Sequence, residues 1–198
     1  MRLTDLGALG ARTALQGNLE IGGSTAPTNL DGFKNLRSIG GDLNITGTGA
    51  LEDLSGLEQL ESVGGNLYLL QNRVLRNLNG LSALESVAGT LDITSNRQLL
   101  GLDGLNNLAS LGDTLAVRDN VNLKTLQPLG NLEHTGDSII IVSNDDLTNL
   151  RGLEKLTTIT GGLRINENKG LASLAGLGSL RSLEGDLIIG NQVVFGTS

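Results

Sequence analysis

Apolar positions recur along this chain on a fixed 24-residue period. Gly17, Gly41, Gly65, Gly89, Asp113, Asp137, Gly161 and Gly185 each open a unit of the same shape, with no insertion between units. Counting from that residue as position 1, positions 3 and 5 are apolar, as in Leu43 and Ile45, Leu67 and Leu69, Leu115 and Val117, or Ile139 and Ile141. Positions 2, 4 and 6 are mixed, so the alternation predicts a short strand with one buried face. Positions 11, 14, 17 and 20 are mostly leucine, as in Leu51, Leu54, Leu57 and Leu60, and spacing by three predicts a tight helical turn, 3₁₀ or one turn of α. Position 15 carries Asp31, Ser55, Asn79 and Asp103, residue types that cap helix N-termini. Position 16 is usually Gly but once Pro128; because Pro forces negative φ, this Gly is expected to serve close packing rather than a left-handed turn. Positions 22 and 23, such as Ser38-Ile39, Ser62-Val63 and Ser86-Val87, predict a second, shorter strand. The Gly-rich corner after it (Gly40-Gly41, Gly64-Gly65, Gly136-Asp137) suits positive φ. No long helix and no GK[ST] follows these glycines, so a phosphate-cradling loop is not the reading.

A period in this range means a solenoid, in which each unit buries its apolar edge only by stacking on its neighbours. Stacked strands 24 residues apart must run parallel, and the rest of each unit supplies the crossover. The expected fold is an all-β-type solenoid forming one body over residues 1–198. It comprises a partial amino-terminal coil (1–16, through Leu3, Leu6 and Leu9), seven full coils (17–184), and a last strand with a carboxy-terminal cap (185–198). Phe195 takes a position held elsewhere by Leu and is expected to fold over the last coil.

Two kinds of polar or mixed column carry candidate function. Position 8 reads Asn72, Asn96, Asn120, Asn144 and Asn168, weakening to Ser24 and Thr48 at one end and Gln192 at the other. A structural ladder of buried amides, satisfying backbone groups where the chain turns inward, is the expected role; a ligand-binding row of amides is the alternative. Positions 4 and 6 face outward from the strand. They are not uniform, and they place Tyr68 with Leu70 and Ile140 with Val142 where no core buries them. Rimmed by Asp92, Arg118 and Arg164, these apolar groups are the candidate partner-binding residues. A neighbouring domain covering them is the alternative.

Composition narrows the rest. Among 198 residues there are 29 Gly and 2% aromatics, so the core is aliphatic. A net charge of −7 disfavours nucleic acid and anionic membranes as partners, because both need clustered Lys and Arg. The absence of Cys excludes disulfides and thiolate metal sites. No secretory signal and no membrane span is read, so membrane insertion is not expected. Catalysis has little support: the single histidine, His134, sits in a column of Ser and Thr, where a surface role is expected rather than a general base. Asp119, Asp145, Asp146 and Glu167 put carboxylates near one edge of the strand face, a solvated rim or a weak calcium site. No metal or other cofactor is assigned. Asn44-Ile45-Thr46 is a glycosylation sequon that chance explains equally well.

The succession of LxI, then Asn, then LxxLxGLxxLxSI, then Gly-Gly resembles the receptor L domain group of leucine-rich repeats over residues 17 to 192. That group supplies ligand-binding modules of insulin-receptor and EGF-receptor type ectodomains, with relatives on microbial and fungal surfaces. The resemblance implies a right-handed, β-helix-like leucine-rich-repeat solenoid that acts by binding, outside the cell or at its surface. The chain lacks cysteine-bonded end caps and is more regular than the receptor members, which favours a surface-protein or adhesin-type repeat. The expected function is therefore non-catalytic binding or adhesion, with a protein ligand on the strand face. A structural solenoid that self-associates end to end is the alternative, and ice or glycan binding through the Ser row at position 22 a distant third.

Overall fold

The computed structural model describes residues 13–23 and 26–190. Almost no helix is present, and the period becomes a stack of parallel strands. Eight longer strands, one per coil, make the main sheet: β2 (Leu19–Gly22), β4 (Leu43–Thr46), β6 (Leu67–Leu70), β8 (Leu91–Thr94), β10 (Leu115–Arg118), β12 (Ile139–Val142), β14 (Leu163–Asn166) and β16 (Leu187–Ile189). Each pairs with the equivalent strand of the next coil in unbroken register, Leu67 against Leu91 and Leu91 against Leu115. The two-residue strands β1 (Ala14–Leu15), β3 (Ser38–Ile39), β5 (Ser62–Val63), β7 (Ser86–Val87), β9 (Ser110–Leu111) and β11 (His134–Thr135) build a second parallel sheet. β13 (Thr158–Ile159) and β15 (Ser182–Leu183) pair separately. The aliphatic columns fill the space between, and Leu54, Leu81, Leu105, Leu129 and Leu156 are among many core residues with no exposed surface. Among the described residues no helix is long and apolar enough to cross a membrane. The partial coil at Leu3, Leu6 and Leu9, the end residues Ser24 and Gln192 of the Asn column, and the Phe195 cap lie outside the described residues.

The corner glycines depart from the role expected of them, and the position-16 glycines take on a second one. The corner glycines do not adopt positive φ. They are small because the coils touch there: a Cβ on Gly64 would stand 2.5 Å from the Gly40 carbonyl oxygen, and one on Gly136 1.9 Å from that of Gly112. At position 16 the packing expectation holds, since a Cβ on Gly80 would stand 1.8 Å from the Leu54 oxygen. Yet four of these glycines are also left-handed: Gly56 (φ 108°), Gly104 (113°), Gly152 (112°) and Gly176 (117°).

The first six full coils alternate, and the seventh, with Gly176 also left-handed, repeats the sixth. Short 3₁₀ turns form at Asp31–Phe33, Asn79–Leu81 and Gln127–Leu129, in the first, third and fifth full coils. The coils between them flip the peptide before Gly instead. That flip lets the Ser55 carbonyl accept the Leu30 N–H (3.2 Å) and the Asp103 carbonyl accept the Leu78 N–H (2.9 Å). The flipped Gly N–H then needs another acceptor, and position 18 supplies one: Glu58 to Gly56 (2.9 Å), Asn106 to Gly104 (3.3 Å), Glu154 to Gly152 (2.7 Å). Position 15 is not the cap. Leu30, Leu78 and Leu126 hold the cap position without a side-chain bond, and position 15 is the first residue of the turn. The local acceptor stands at position 13 instead, where Asn29, Asp53, Asn77, Thr125, Asn149 and Ser173 each take the N–H two residues on.

Candidate functional site

Strict alternation would send position 7 inward and position 8 outward. A left-handed residue at position 7 reverses this in every described coil. Gly23 and Gly47 adopt it readily, whereas Gln71 (φ 57°), Ser95 (62°), Asp119 (54°), Ser143 (57°) and Glu167 (58°) carry side chains in a disfavoured region. The reversal drives the position-8 amides into the interior. Asn72, Asn96, Asn120 and Asn144 have no exposed surface, and Asn168 is half-buried. Each Oδ1 accepts the N–H of the preceding coil's column residue, for example from Asn72 to Asn96 (3.0 Å) and from Asn96 to Asn120 (2.9 Å). Each Nδ2 donates to a strand carbonyl one coil back, Asn120 to Ile93 (2.8 Å) and Asn144 to Val117 (2.9 Å). Among the described residues no buried side-chain polar atom lacks a partner. These amides are thus engaged by the protein's own backbone. A second, largely half-buried ladder runs along position 2: Asn18, Asp42 and Asn66 accept the N–H groups of Asp42, Asn66 and Thr90 at 2.9, 2.7 and 2.8 Å. The sequence carries its signal in a column of Asn, Asp, Thr and Ser that reads as merely mixed.

The outward columns form one face across all eight strands. Register sets Tyr68 between Asn44 and Asp92, and Leu70 between Thr46 and Thr94. Three strands on, Ile140 lies between Ala116 and Arg164, and Val142 between Arg118 and Asn166. Asp92 borders Tyr68 and Arg118 borders Val142, each on the inner side of its apolar pair. They stand between the two pairs and bond one another, Nη1 to Oδ2 at 3.1 Å, with 17% and 35% of their side chains exposed. Only Arg164 occupies an outer flank, exposed, its Nε donating to Asn166 Oδ1 at 2.9 Å. The apolar groups are also less bare than expected: Tyr68, Leu70, Ile140 and Val142 are half-buried, and Ala116 is wholly covered. Neighbouring rungs pack side by side, so long side chains shield short ones.

The edge beyond the strands carries the acidic groups. Lys169 reaches Asp145 at 2.7 Å, and that hydrogen bond, then the carboxylate's charge, holds the lysine ammonium above its usual pKa. Ser143 donates to Glu167 at 3.0 Å. Among the described residues no three acidic or imidazole side chains converge on a point that could hold a metal ion. His134 is exposed on β11. The sequon residue Asn44 is half-buried, its amide oxygen taking a hydrogen bond from Thr46.

Among curated proteins none matches this chain. The Receptor L domain family model matches residues 13–84, and Receptor L domains are a binding-type fold, not an enzyme family. The described coils carry the same 24-residue plan on to residue 190, so the chain is a repeat solenoid consistent with a receptor L domain-like protein.

Proposed function

We propose that the protein is a non-catalytic binding or adhesion module of a cell-surface or secreted protein, and that a protein partner docks on the eight-stranded face. One observation carries this reading: two apolar pairs, Tyr68–Leu70 and Ile140–Val142, flank the Asp92–Arg118 ion pair on a single continuous sheet. At about 4.8 Å per strand the pairs are roughly 14 Å apart, well within one standard protein interface. Tyr and Arg are the residue types enriched among interface anchors, and Tyr68 and Arg118 share this face. The likeness to Receptor L domains, a typically extracellular family, supports the localisation.

The test is partner capture by immobilised protein. Tyr68→Ala and Ile140→Asp should each abolish capture with little change in unfolding midpoint, and Arg151→Ala, exposed on the turn side, should leave capture intact. Glu58 and Glu154 make poorer controls, because each holds a glycine N–H. A partner retained by both strand-face variants would defeat the assignment.

Self-association through the end of the stack is a second reading with its own observation. Among the described residues the last of the inward columns are Leu187 and Ile189, 58% and 48% exposed, with Leu174 exposed beside them. Sedimentation should then show reversible association that Leu187→Asp weakens; a strict monomer at high concentration would rule this reading out.

A further inference from the structure

Ion pairs in this solenoid run between coils. Arg37 meets Glu61, Arg76 meets Glu52, Arg118 meets Asp92, Lys155 meets Glu133 and Lys169 meets Asp145. Position 9 shows the rule and its exception in one column. In the sixth and seventh full coils it holds Asp145 and Lys169, which neutralise one another. In the third and fourth it holds Arg73 and Arg97, both exposed. Stacked rungs place these two residues about 4.8 Å apart along the column. Among the described residues neither guanidinium forms an ion pair. Two adjacent cations are thus left uncompensated in a chain of net charge −7.

They stand over a groove. The second coil has Gly47, Gly49 and Ala50 where the third and fourth have Gln71, Arg73, Ser95 and Arg97, and the step in side-chain size leaves a channel of about 1050 Å³ off the strand face. Small residues (Gly47, Gly49 and Ala50) line one part of it, Gln71, Ser95 and Gln98 offer amide and hydroxyl groups, and no aromatic ring lines it. An extended peptide can lie along such a channel through side-chain contacts, whereas a sugar would find no ring to stack on. Guanidinium groups pair with carboxylates through two parallel hydrogen bonds.

We propose that this groove is a second binding site, and that it takes an acidic peptide segment whose carboxylates pair with Arg73 and Arg97. The site is separate from the strand face, so its failure would leave that assignment standing.

Fluorescence anisotropy with a labelled, end-blocked hexaglutamate peptide at low ionic strength tests it, with hexalysine and a sulfated heparin-type tetrasaccharide as the other probes. The glutamate peptide should bind and hexalysine should not. Arg73→Glu with Arg97→Glu should weaken binding at least tenfold at unchanged unfolding midpoint. Arg73→Lys with Arg97→Lys should retain part of it, and Arg151→Glu all of it. Absence of hexaglutamate binding, equal loss in Arg151→Glu, or binding unchanged in the double reversal would overturn the proposal. So would arginine-dependent binding of the tetrasaccharide alone.

Discussion

At the scale of single residues, two columns set the energetics of each coil. The position-8 amide accepts one backbone N–H and donates to one carbonyl, both within the interior. Asn120→Ala removes both bonds and strands their partners, which should cost about 1–3 kcal/mol. Asn168→Ala, near the end of the stack and half-buried, should cost less because water can reach the freed groups. Urea denaturation midpoints decide it, and equal, negligible shifts would deny the ladder any energetic role. Position 7 works in the opposite sense. Gln71 and Ser95 sit at φ 57° and 62°, a region that costs a side-chain-bearing residue about 1–2 kcal/mol. Replacing either with Gly relieves that strain, offset by the added entropy of an unfolded Gly. Gln71→Gly and Ser95→Gly should therefore be neutral or slightly stabilising. Gly47→Val, at φ 65° in the same column, should destabilise by a similar or larger amount.

At the scale of the element, the turn between the two sheets has two solutions, and one acceptor helps choose between them. A flipped peptide satisfies the preceding coil but turns its glycine N–H toward position 18. Glu154→Ala removes that acceptor from Gly152. It should lower stability by about 0.5–1.5 kcal/mol, the usual worth of one hydrogen bond, while Glu154→Gln keeps most of it. Gly104→Ala fails on two counts, since φ is 113° and the new methyl would sit 1.9 Å from the Leu78 oxygen. We expect it to be among the most damaging single-methyl additions in the protein, read as a large drop in melting temperature.

At the scale of the whole molecule, each coil touches only its neighbours, so stability accumulates along one dimension and falls away at the ends. Amide hydrogen exchange should be slowest in β8 and β10 and fastest in β15 and β16. Leu105→Ala, wholly buried mid-stack, should cost about 2–5 kcal/mol, and Leu177→Ala, only partly buried, distinctly less. Equal exchange rates along the stack would mean that the solenoid opens as one unit.

The period alone determined the architecture: strand positions, parallel pairing and the leucine core all follow from apolar spacing, because a coil with one apolar edge must stack, whereas the inward turn of the Asn column rests on the left-handed residue before it. The resemblance to receptor L domains was legible in the same spacing. Which glycines are left-handed was not, since Gly40, Gly56 and Gly80 look alike in sequence. A glycine can answer to a missing Cβ or to a backbone angle, and only the neighbouring coil's carbonyl tells which. The position-2 and position-13 acceptors were visible as Asn, Asp, Ser and Thr but unread, because their partners lie on the backbone. On the strand face the sequence named Tyr68, Leu70, Ile140 and Val142. Register decided that Asp92 and Arg118 stand between the two pairs and bond one another, and stacking decided that Arg73 and Arg97 share an uncompensated column. Both depend on which rung lies against which, a relation between coils that only the assembled stack fixes.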